Sequence, residues 1–330
     1  MDQLTHTATG LFLSRAGLDR LTPHAGPILM LAANMPDIDV VMGFGGALDY
    51  LNYHRHLTHS LVMLPIVALL PLLVARIFAR QPLRWPGAYL ISVIGVASHL
   101  ALDSTNIYGV RLLLPFSARW FHLDITTVID VWIWTAILLA LAAPLISRLV
   151  SSEIGAKTRG ESARRFAVAA LAFLLLYNCG HAVLHARAVA TLDARIYQGS
   201  PPSRVAAFPD PINPWRFTGL VETRDFASLH DLDLRAGFDP NAGHIFYKPE
   251  PSPAIDAARR TPTFRDFLRF SQYPFWRVQP AIEPEGGFTV EAMDLRFGSP
   301  QQPGFLAGAV LTSRLDVVRT WFTFGAAKPR

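Results

Sequence analysis

Long apolar runs alternate with short polar segments through the first 185 residues of the chain. A helix needs roughly 20 apolar residues to cross a hydrocarbon core about 30 Å thick, and four runs approach that length. The predicted membrane spans cover residues 61–78, 85–102, 128–149 and 166–184. Pro65 and Pro71 interrupt the first run, which is tolerated in a membrane when neighbouring groups satisfy the freed carbonyls.

Two earlier segments differ from these spans. The stretch 4–21 carries Arg15, Asp19 and Arg20, and the apolar run 28–33 is short. We expect both segments to form interfacial or re-entrant helices that pack on the bundle.

From Asn213 onward the pattern changes to short segments separated by turn residues. Residues 288–292 alternate with the period of a half-buried strand, and residues 254–270 suit a helix packed on a sheet. The sequence therefore predicts an α-helical polytopic membrane bundle, residues 1–185, followed by a soluble C-terminal α+β domain, residues 186–330. The expected short segments, several of them strands, are 215–223, 227–235, 244–247, 275–279, 288–297 and 306–315.

Composition agrees with a membrane protein, because 51% of the residues are hydrophobic and only 17% are charged. The net charge is +5, but the sequence contains no basic run with interleaved aromatic residues. A nucleic-acid partner is therefore not expected. Cys179 is the single cysteine, which excludes an intrachain disulfide and a thiolate metal cage. Any metal ion must therefore be held by histidine and carboxylate side chains.

Basic residues indicate the orientation, since they collect in two connections that the positive-inside rule assigns to the cytoplasm. The histidine and aspartate clusters and the C-terminal domain then share the non-cytoplasmic side. The basic residues are Arg76, Arg80 and Arg84 in the first connection, and Arg148, Lys157, Arg159, Arg164 and Arg165 in the second.

Candidate metal ligands gather at the ends of the predicted spans. His99 and Asp103 are four residues apart on a predicted helix, so both side chains reach one ion as nitrogen and oxygen ligands. The alternative is a histidine and an aspartate that hydrogen-bond to each other near the membrane surface.

Three histidines stand directly before the first span. His56 and His59 are three residues apart and are able to share a helix face, whereas His54 points elsewhere as a general acid or as support for a ligand. The alternative for this cluster is an interfacial polar collar with an arginine anchor.

Two further pairs carry carboxylates. Asp37 and Asp39 follow Pro36, which predicts an extended loop in which one carboxylate binds metal and the other orients a ligand. A helix N-cap is the alternative for Asp39. His122 and Asp124 precede the third span and are candidates to orient water or to protonate a leaving group.

These motifs resemble those of the LexA-regulated, membrane-bound metal-dependent hydrolase family (YdjM-like) over roughly residues 1–150. The resemblance is carried by an early Leu-Thr-His, Pro-Asp-Ile-Asp, His-Arg-x-x-Thr-His-Ser and His-Leu-x-x-Asp before Pro-Phe-Ser. His56 stands where the family pattern leads us to expect a small residue, which favours His54 and His59 over His56. Residues 213–217 and 294–297 resemble a subset with an added soluble domain.

The order of histidines and aspartates also resembles the helical zinc-dependent phospholipase C and single-strand nuclease superfamily. That resemblance implies metal ligation by His6, Asp37, His59, His99 and Asp103, with Asp103 as the bridging carboxylate. It implies one or two divalent ions, with zinc the expected metal.

Together these features predict an integral protein of a bacterial inner membrane that hydrolyses a phosphoester. The expected substrate is a membrane phospholipid or a lipid-linked phosphate, attacked by metal-activated water. The alternative is a non-catalytic metal-binding membrane protein that acts as a sensor or scaffold. Transport is disfavoured because the ionisable residues lie at span ends rather than deep inside the spans. A third hypothesis, a C-terminal binding domain merely anchored by the spans, leaves the histidines and aspartates unexplained.

Overall fold

The computed structural model describes residues 1–78, 81–153 and 161–325. Arg80, Lys157 and Arg159, three of the residues behind the predicted orientation, lie outside the described part of the chain. The helices, in chain order, are α1 (Gln3–Ala16), α2 (Ala25–Ala32), α3 (Ala47–Tyr53), α4 (Leu64–Val67), α5 (Leu70–Phe78), α6 (Trp85–Thr105), α7 (Val131–Glu153), α8 (Glu161–Asp193), α9 (Pro253–Arg259) and α10 (Pro262–Phe270).

The contacts divide the chain into two units. The helical unit comprises Met1–Asp39, Arg55–His185 and Pro209–Pro214; the sheet unit comprises Val40–His54, Ala186–Phe208 and the chain from Trp215 onward. A domain boundary between residues 185 and 186, as predicted from the sequence, therefore assigns two segments, Val40–His54 and Pro209–Pro214, to the other unit. The segment Val40–His54 belongs to the sheet unit because α3 packs against α10.

Three helices of the described chain are long and apolar enough to cross a membrane. They are α6, the part Val131–Ser151 of α7, and the part Ser162–Asp193 of α8; two bent helix pairs raise the number to five if each pair counts as one span. The α7 helix begins three residues later than predicted because the Asp130 carboxylate accepts hydrogen bonds from the backbone amides of Trp132 and Ile133. Such a cap satisfies amides that otherwise lack an acceptor at a helix start.

The predicted first span, 61–78, is divided rather than continuous. It contains the short helices α4 and α5. Pro65 and Pro71 each lie in the first turn of one of them, where a missing backbone amide costs least. The two prolines therefore mark helix starts in this segment.

Close packing of α1, α2 and α6 forms the centre of the helical unit. A Cβ atom built on Gly10 of α1 would lie 2.5 Å from the carbonyl oxygen of Leu29 in α2, and one on Gly95 of α6 would lie 2.6 Å from Cβ of Ala32. Only glycine allows these backbones to approach so closely, as in other small-residue contacts between membrane helices. His6 and His99 each lie one turn from one of these glycines, so the close approach also brings their rings together.

The sheet unit contains two four-stranded sheets. The first has the strand order β1-β2-β3-β4 and the second β10-β9-β6-β5. Within the second sheet every neighbouring pair is antiparallel, and α9 and α10 pack against its strands. The strands are β1 (Arg204–Pro209), β2 (Arg216–Glu222), β3 (Phe226–Asp233), β4 (His244–Tyr247), β5 (Pro274–Pro280), β6 (Phe288–Asp294), β7 (Gly298–Ser299), β8 (Gln302–Pro303), β9 (Phe305–Leu311) and β10 (Val317–Phe324).

The predicted helix 254–270 is wrong in one respect, since the structure has two helices there. The first helix ends at Arg259, and Thr261 caps the second, because its hydroxyl lies 3.4 Å from the amide of Phe264. Pro262 then occupies the first turn of α10. Phe264, Phe267 and Phe270 are fully buried and form part of the core of this unit.

Candidate metal centre

Five titratable side chains from four separate elements meet inside the helical unit, and all five are buried. The helix α6 presents two of them on one face because they are four residues apart. They are His6 of α1, Asp37 of the 3-10 helix after α2, His59 of the 3-10 turn before α4, and His99 and Asp103 of α6.

Four of these side chains form a compact group. One ligand atom each from Asp37, His59, His99 and Asp103 lies within 4.8 Å of the other three. The Nε2 atom of His59 is 3.1 Å from Nε2 of His99 and 3.3 Å from Oδ1 of Asp37. The Oδ2 atom of Asp103 lies 3.4 Å from Nε2 of His99 and 3.6 Å from Nε2 of His59. Two imidazole nitrogens and two carboxylate oxygens thus enclose one small volume.

The contacts of the Nδ1 atoms of His59 and His99 determine whether their Nε2 atoms carry a proton or a lone pair. Nδ1 of His99 lies 2.7 Å from the carbonyl oxygen of Ala33, which accepts hydrogen bonds only. Nδ1 of His59 lies 3.2 Å from Oδ2 of Asp39 and 3.0 Å from the Thr58 hydroxyl. With a proton on each Nδ1 atom, both Nε2 atoms present lone pairs to the enclosed volume.

The group therefore has the donor set of a cation site. Two neutral imidazoles and two carboxylates are ligands that zinc and other divalent ions accept. Without a cation, the facing lone pairs repel one another in a buried setting where unpaired polar groups are costly. The residues present fit a divalent metal ion.

Asp103 faces two sides of this arrangement. Its Oδ1 atom lies 3.2 Å from Nε2 of His6 and also contacts the amino group of Met1, whereas Oδ2 faces His59 and His99. A carboxylate whose two oxygens face different partners is suited to bridge two cations.

His6 is held directly against the group. Its ring stacks on that of His99 with the centroids 3.8 Å apart. Burial lowers the pKa of His6 well below its ordinary value, and the nearby His99 and the amino group of Met1 act in the same direction. His6 is therefore neutral near pH 7, which leaves it able to bind a metal ion.

Asp39 has a position different from that of Asp37. Its Oδ2 atom accepts hydrogen bonds from the Thr58 hydroxyl at 2.7 Å and from the backbone amide of Arg55 at 2.9 Å, and it lies beside Nδ1 of His59. These contacts place Asp39 behind His59, where it fixes the orientation of that ring. The predicted extended loop is instead a 3-10 helix over Met35–Gly45, and it turns the two carboxylates to different neighbours.

His54 and His56 are not members of the group formed by Asp37, His59, His99 and Asp103. His54 follows α3 in the sheet unit, is buried, and stacks on Tyr50 with ring centroids 4.6 Å apart. His56 is partly exposed and does not belong to the four-residue group.

His122 and Asp124 form a pair of their own. Nδ1 of His122 lies 2.9 Å from Oδ1 of Asp124, a contact that favours the tautomer with its lone pair on Nε2. Their segment runs beside the end of α6, since the amide of Leu123 donates to the carbonyl of Ser104. The pair lies outside the four-residue group but next to the helix that carries Asp103.

Three groups that contact the site are not among the ligands and supporting residues predicted from the sequence. The carbonyl of Ala33 orients His99, the amide of Gln3 lies 3.2 Å from Oδ2 of Asp37, and Nε of Arg55 lies 3.1 Å from Oδ2 of Asp103. A backbone carbonyl and a glutamine in a helix carry no sequence signal. Arg55, by contrast, stands inside the motif His-Arg-x-x-Thr-His-Ser, where the sequence predicts only an interfacial anchor.

The fold and the buried group define a polytopic helical membrane protein with a buried aspartate and histidine cluster able to bind a metal ion. The chain belongs to the YdjM inner membrane protein family, whose model matches residues 1–188. A second match, to the YfhP C-terminal alpha/beta plait domain, covers residues 253–324.

A curated relative carries the same name, YfhP, as the second matched domain. The chain is 30% identical over 155 residues to the uncharacterized protein YfhP of Bacillus subtilis (strain 168). That alignment covers 43% of this chain and 46% of the relative, so the chain spans under half the length of the curated protein it matches. No solved structure matches the chain.

Proposed function

We propose that this protein is a membrane-bound metal-dependent hydrolase that acts on a phosphoester, such as a phospholipid or a lipid-linked phosphate. The supporting observation is the pair of facing Nε2 atoms of His59 and His99, closed by the carboxylates of Asp37 and Asp103. A zinc ion bound there would lower the pKa of a coordinated water and polarise a phosphoryl oxygen. We also propose that the protein is related to the zinc-dependent phospholipase C superfamily.

Asp103 and His6 support a second ion in the same site. The Oδ1 atom of Asp103 faces His6 while Oδ2 faces the other two histidines. We therefore assign His6, Asp37, His59, His99 and Asp103 as ligands for one or two ions, and Asp39 as the residue that orients His59.

The His122 and Asp124 pair is suited to proton transfer. A carboxylate at Nδ1 leaves Nε2 of His122 to accept a proton, and the His122 side chain keeps 18% of its surface exposed. We assign this pair to orienting water or protonating the leaving group. His54 stays a prediction for the same role, tested by the variant His54→Gln.

Exposed apolar side chains beside the ligands support a lipid substrate. Ile38 is 49% exposed and directly follows Asp37, while Leu57 and Leu61 are 41% and 52% exposed on either side of His59. Buried polar ligands close in sequence to exposed apolar side chains suit a substrate with a phosphate group and acyl chains. We place the site and the sheet unit on the non-cytoplasmic side of the inner membrane.

The test uses purified protein in detergent, loaded with zinc and assayed against phospholipids, lipid-linked phosphates and generic phosphoesters. Turnover that disappears in His99→Ala together with the bound metal supports the proposal. Metal binding without turnover of any phosphoester would instead favour a sensor or scaffold.

A further inference from the structure

Arg55 connects two carboxylates of the site. Its backbone lies in the left-handed region with φ of 57°, and its residue is 4% exposed. In this conformation the backbone amide donates to Oδ2 of Asp39, while Nε of the side chain lies 3.1 Å from Oδ2 of Asp103. One residue thus contacts both Asp103 and the carboxylate that orients His59.

The guanidinium of Arg55 has a fixed orientation. Its Nη1 donates to Oδ1 of Asn106 and to the carbonyl of Gly109, both at 3.1 Å. Its carbon Cζ lies 4.8 Å from the ring centroid of Tyr108, a distance typical of a cation–π contact. The planar group is therefore positioned before any ligand arrives, which reduces the cost of binding.

The net charge of the metal-loaded site indicates a role for this guanidinium. When the site holds a single divalent ion, bound by two neutral imidazoles and the carboxylates of Asp37 and Asp103, the centre has no net charge. Such a centre has little net attraction for an anion. Arg55 adds one positive charge next to Asp103, and a guanidinium is complementary in charge to the oxygens of a phosphoryl group.

We propose that Arg55 is the anion-binding residue of this site and contacts the phosphoryl oxygens of a bound substrate. This inference rests on the proposed function and adds the requirement that the substrate carries a phosphoryl oxyanion beside the metal. The competing explanation is that Arg55 serves only as a counter-ion that keeps Asp103 in place.

Calorimetric titration of inorganic phosphate into the zinc-loaded, detergent-solubilised full chain separates these explanations. Wild type is compared with Arg55→Met, which removes the charge, and with Arg55→Lys, which keeps the charge but loses the planar fork. All three residues have a Cβ atom and meet the same backbone strain at φ of 57°. Zinc content is measured on each sample, so that a folded and loaded site is established without reference to activity.

The expected result is equal zinc content in all three proteins, with phosphate affinity reduced about 10- to 100-fold in Arg55→Met and less in Arg55→Lys. Arg119→Met is the matched control, because Arg119 also lies over an aromatic ring, that of Phe121, but is exposed. Its phosphate affinity should equal that of wild type.

Two results would overturn the inference. The first is that Arg55→Met keeps its zinc and binds phosphate as wild type does. The second is that both Arg55 variants lose zinc, which would make Arg55 a structural counter-ion. Failure of the proposed function is recognised separately, since wild type would then bind no zinc or hydrolyse no phosphoester whatever Arg55 does.

The source of the phosphoryl group is distinguished by a second titration with a short-chain, water-soluble phosphatidic acid. Tighter binding than that of inorganic phosphate indicates a lipid headgroup, and equal binding indicates a free phosphate. In either arm, the inference requires the affinity to depend on Arg55.

Discussion

The Nε2 atoms of His59 and His99 face each other at 3.1 Å, while the Nδ1 atom of each ring contacts an oxygen on its outer side. This relationship directs two lone pairs at one point between the carboxylates of Asp37 and Asp103. A buried arrangement of this kind is stable when a cation lies between the four atoms.

The first prediction concerns metal content. His59→Ala and His99→Ala should each abolish stoichiometric metal binding, because each removes one of four donors around the same point. Elemental analysis of detergent-purified protein measures this directly. His244→Ala, a substitution of an exposed histidine in the sheet unit, should retain the metal. Full metal content in both ligand variants would exclude the assigned site.

The second prediction separates a ligand from its support. Asp39→Asn leaves the four donors in place but weakens the acceptor beside Nδ1 of His59, so metal affinity should fall about 10- to 100-fold. Asp37→Asn removes a charged donor and should cost more. Competition with a fluorescent chelator measures both affinities. If Asp39→Asn has the larger effect, Asp39 is itself a principal ligand.

The third prediction concerns helix packing. Gly10→Ala should destabilise the helical unit by about 1–3 kcal/mol, since the added Cβ atom would lie 2.5 Å from the carbonyl oxygen of Leu29. Gly180→Ala is the matched control in α8, because nothing lies within 4 Å of its added Cβ atom. That substitution should be neutral or stabilising by up to about 1 kcal/mol. Thermal unfolding in detergent measures the difference, and equal melting of the two variants would contradict the packing argument.

The fourth prediction concerns the pH dependence of the sheet unit. Burial lowers the pKa of His230 to about 4, and its Nε2 atom lies 2.8 Å from the buried Ser228 hydroxyl. Between an unfolded-state pKa of about 6.5 and the folded value, the unfolded chain binds a proton that the folded unit does not. The stability of this unit should therefore be complete above about pH 6.5 and fall by up to about 3 kcal/mol as the pH drops towards 4.

Hydrogen exchange of the β3 amides, corrected for the intrinsic pH dependence of exchange, measures this loss in the full chain. His230→Gln cannot titrate, so its corrected exchange should vary less between pH 6.5 and 4. The same decline in the variant and in wild type would assign the effect to other groups.

Much of the architecture follows from local patterns. The apolar lengths of α6, α7 and α8 predict membrane helices because hydrophobicity over about 20 residues is a property of the local sequence. The strands of the sheet unit are similarly recognisable from alternation and turn residues. By contrast, the break between α9 and α10 depends on the local pair Thr261 and Pro262, which stands within an otherwise helical pattern.

Some of the residues of the metal site could be predicted from the sequence. The spacing of His99 and Asp103 places both on one helix face, and the family resemblance adds His6, Asp37 and His59. The different positions of Asp37, among the four donors, and Asp39, behind His59, could not be predicted from the sequence. Both carboxylates follow the same proline, and only their long-range neighbours distinguish them. For the same reason the contact of Arg55 with Asp103, 48 positions further along the chain, has no local signal.

The sequence by itself determined the apolar helices α6, α7 and α8, the β-rich character of the C-terminal region and the chemical types of the candidate ligands. These depend on the period and composition of short segments. Only the tertiary structure decided which donors face one another, which carboxylate supports a histidine and where the guanidinium lies. These depend on contacts between distant segments, which become possible when glycines such as Gly10 and Gly95 allow α1, α2 and α6 to approach closely.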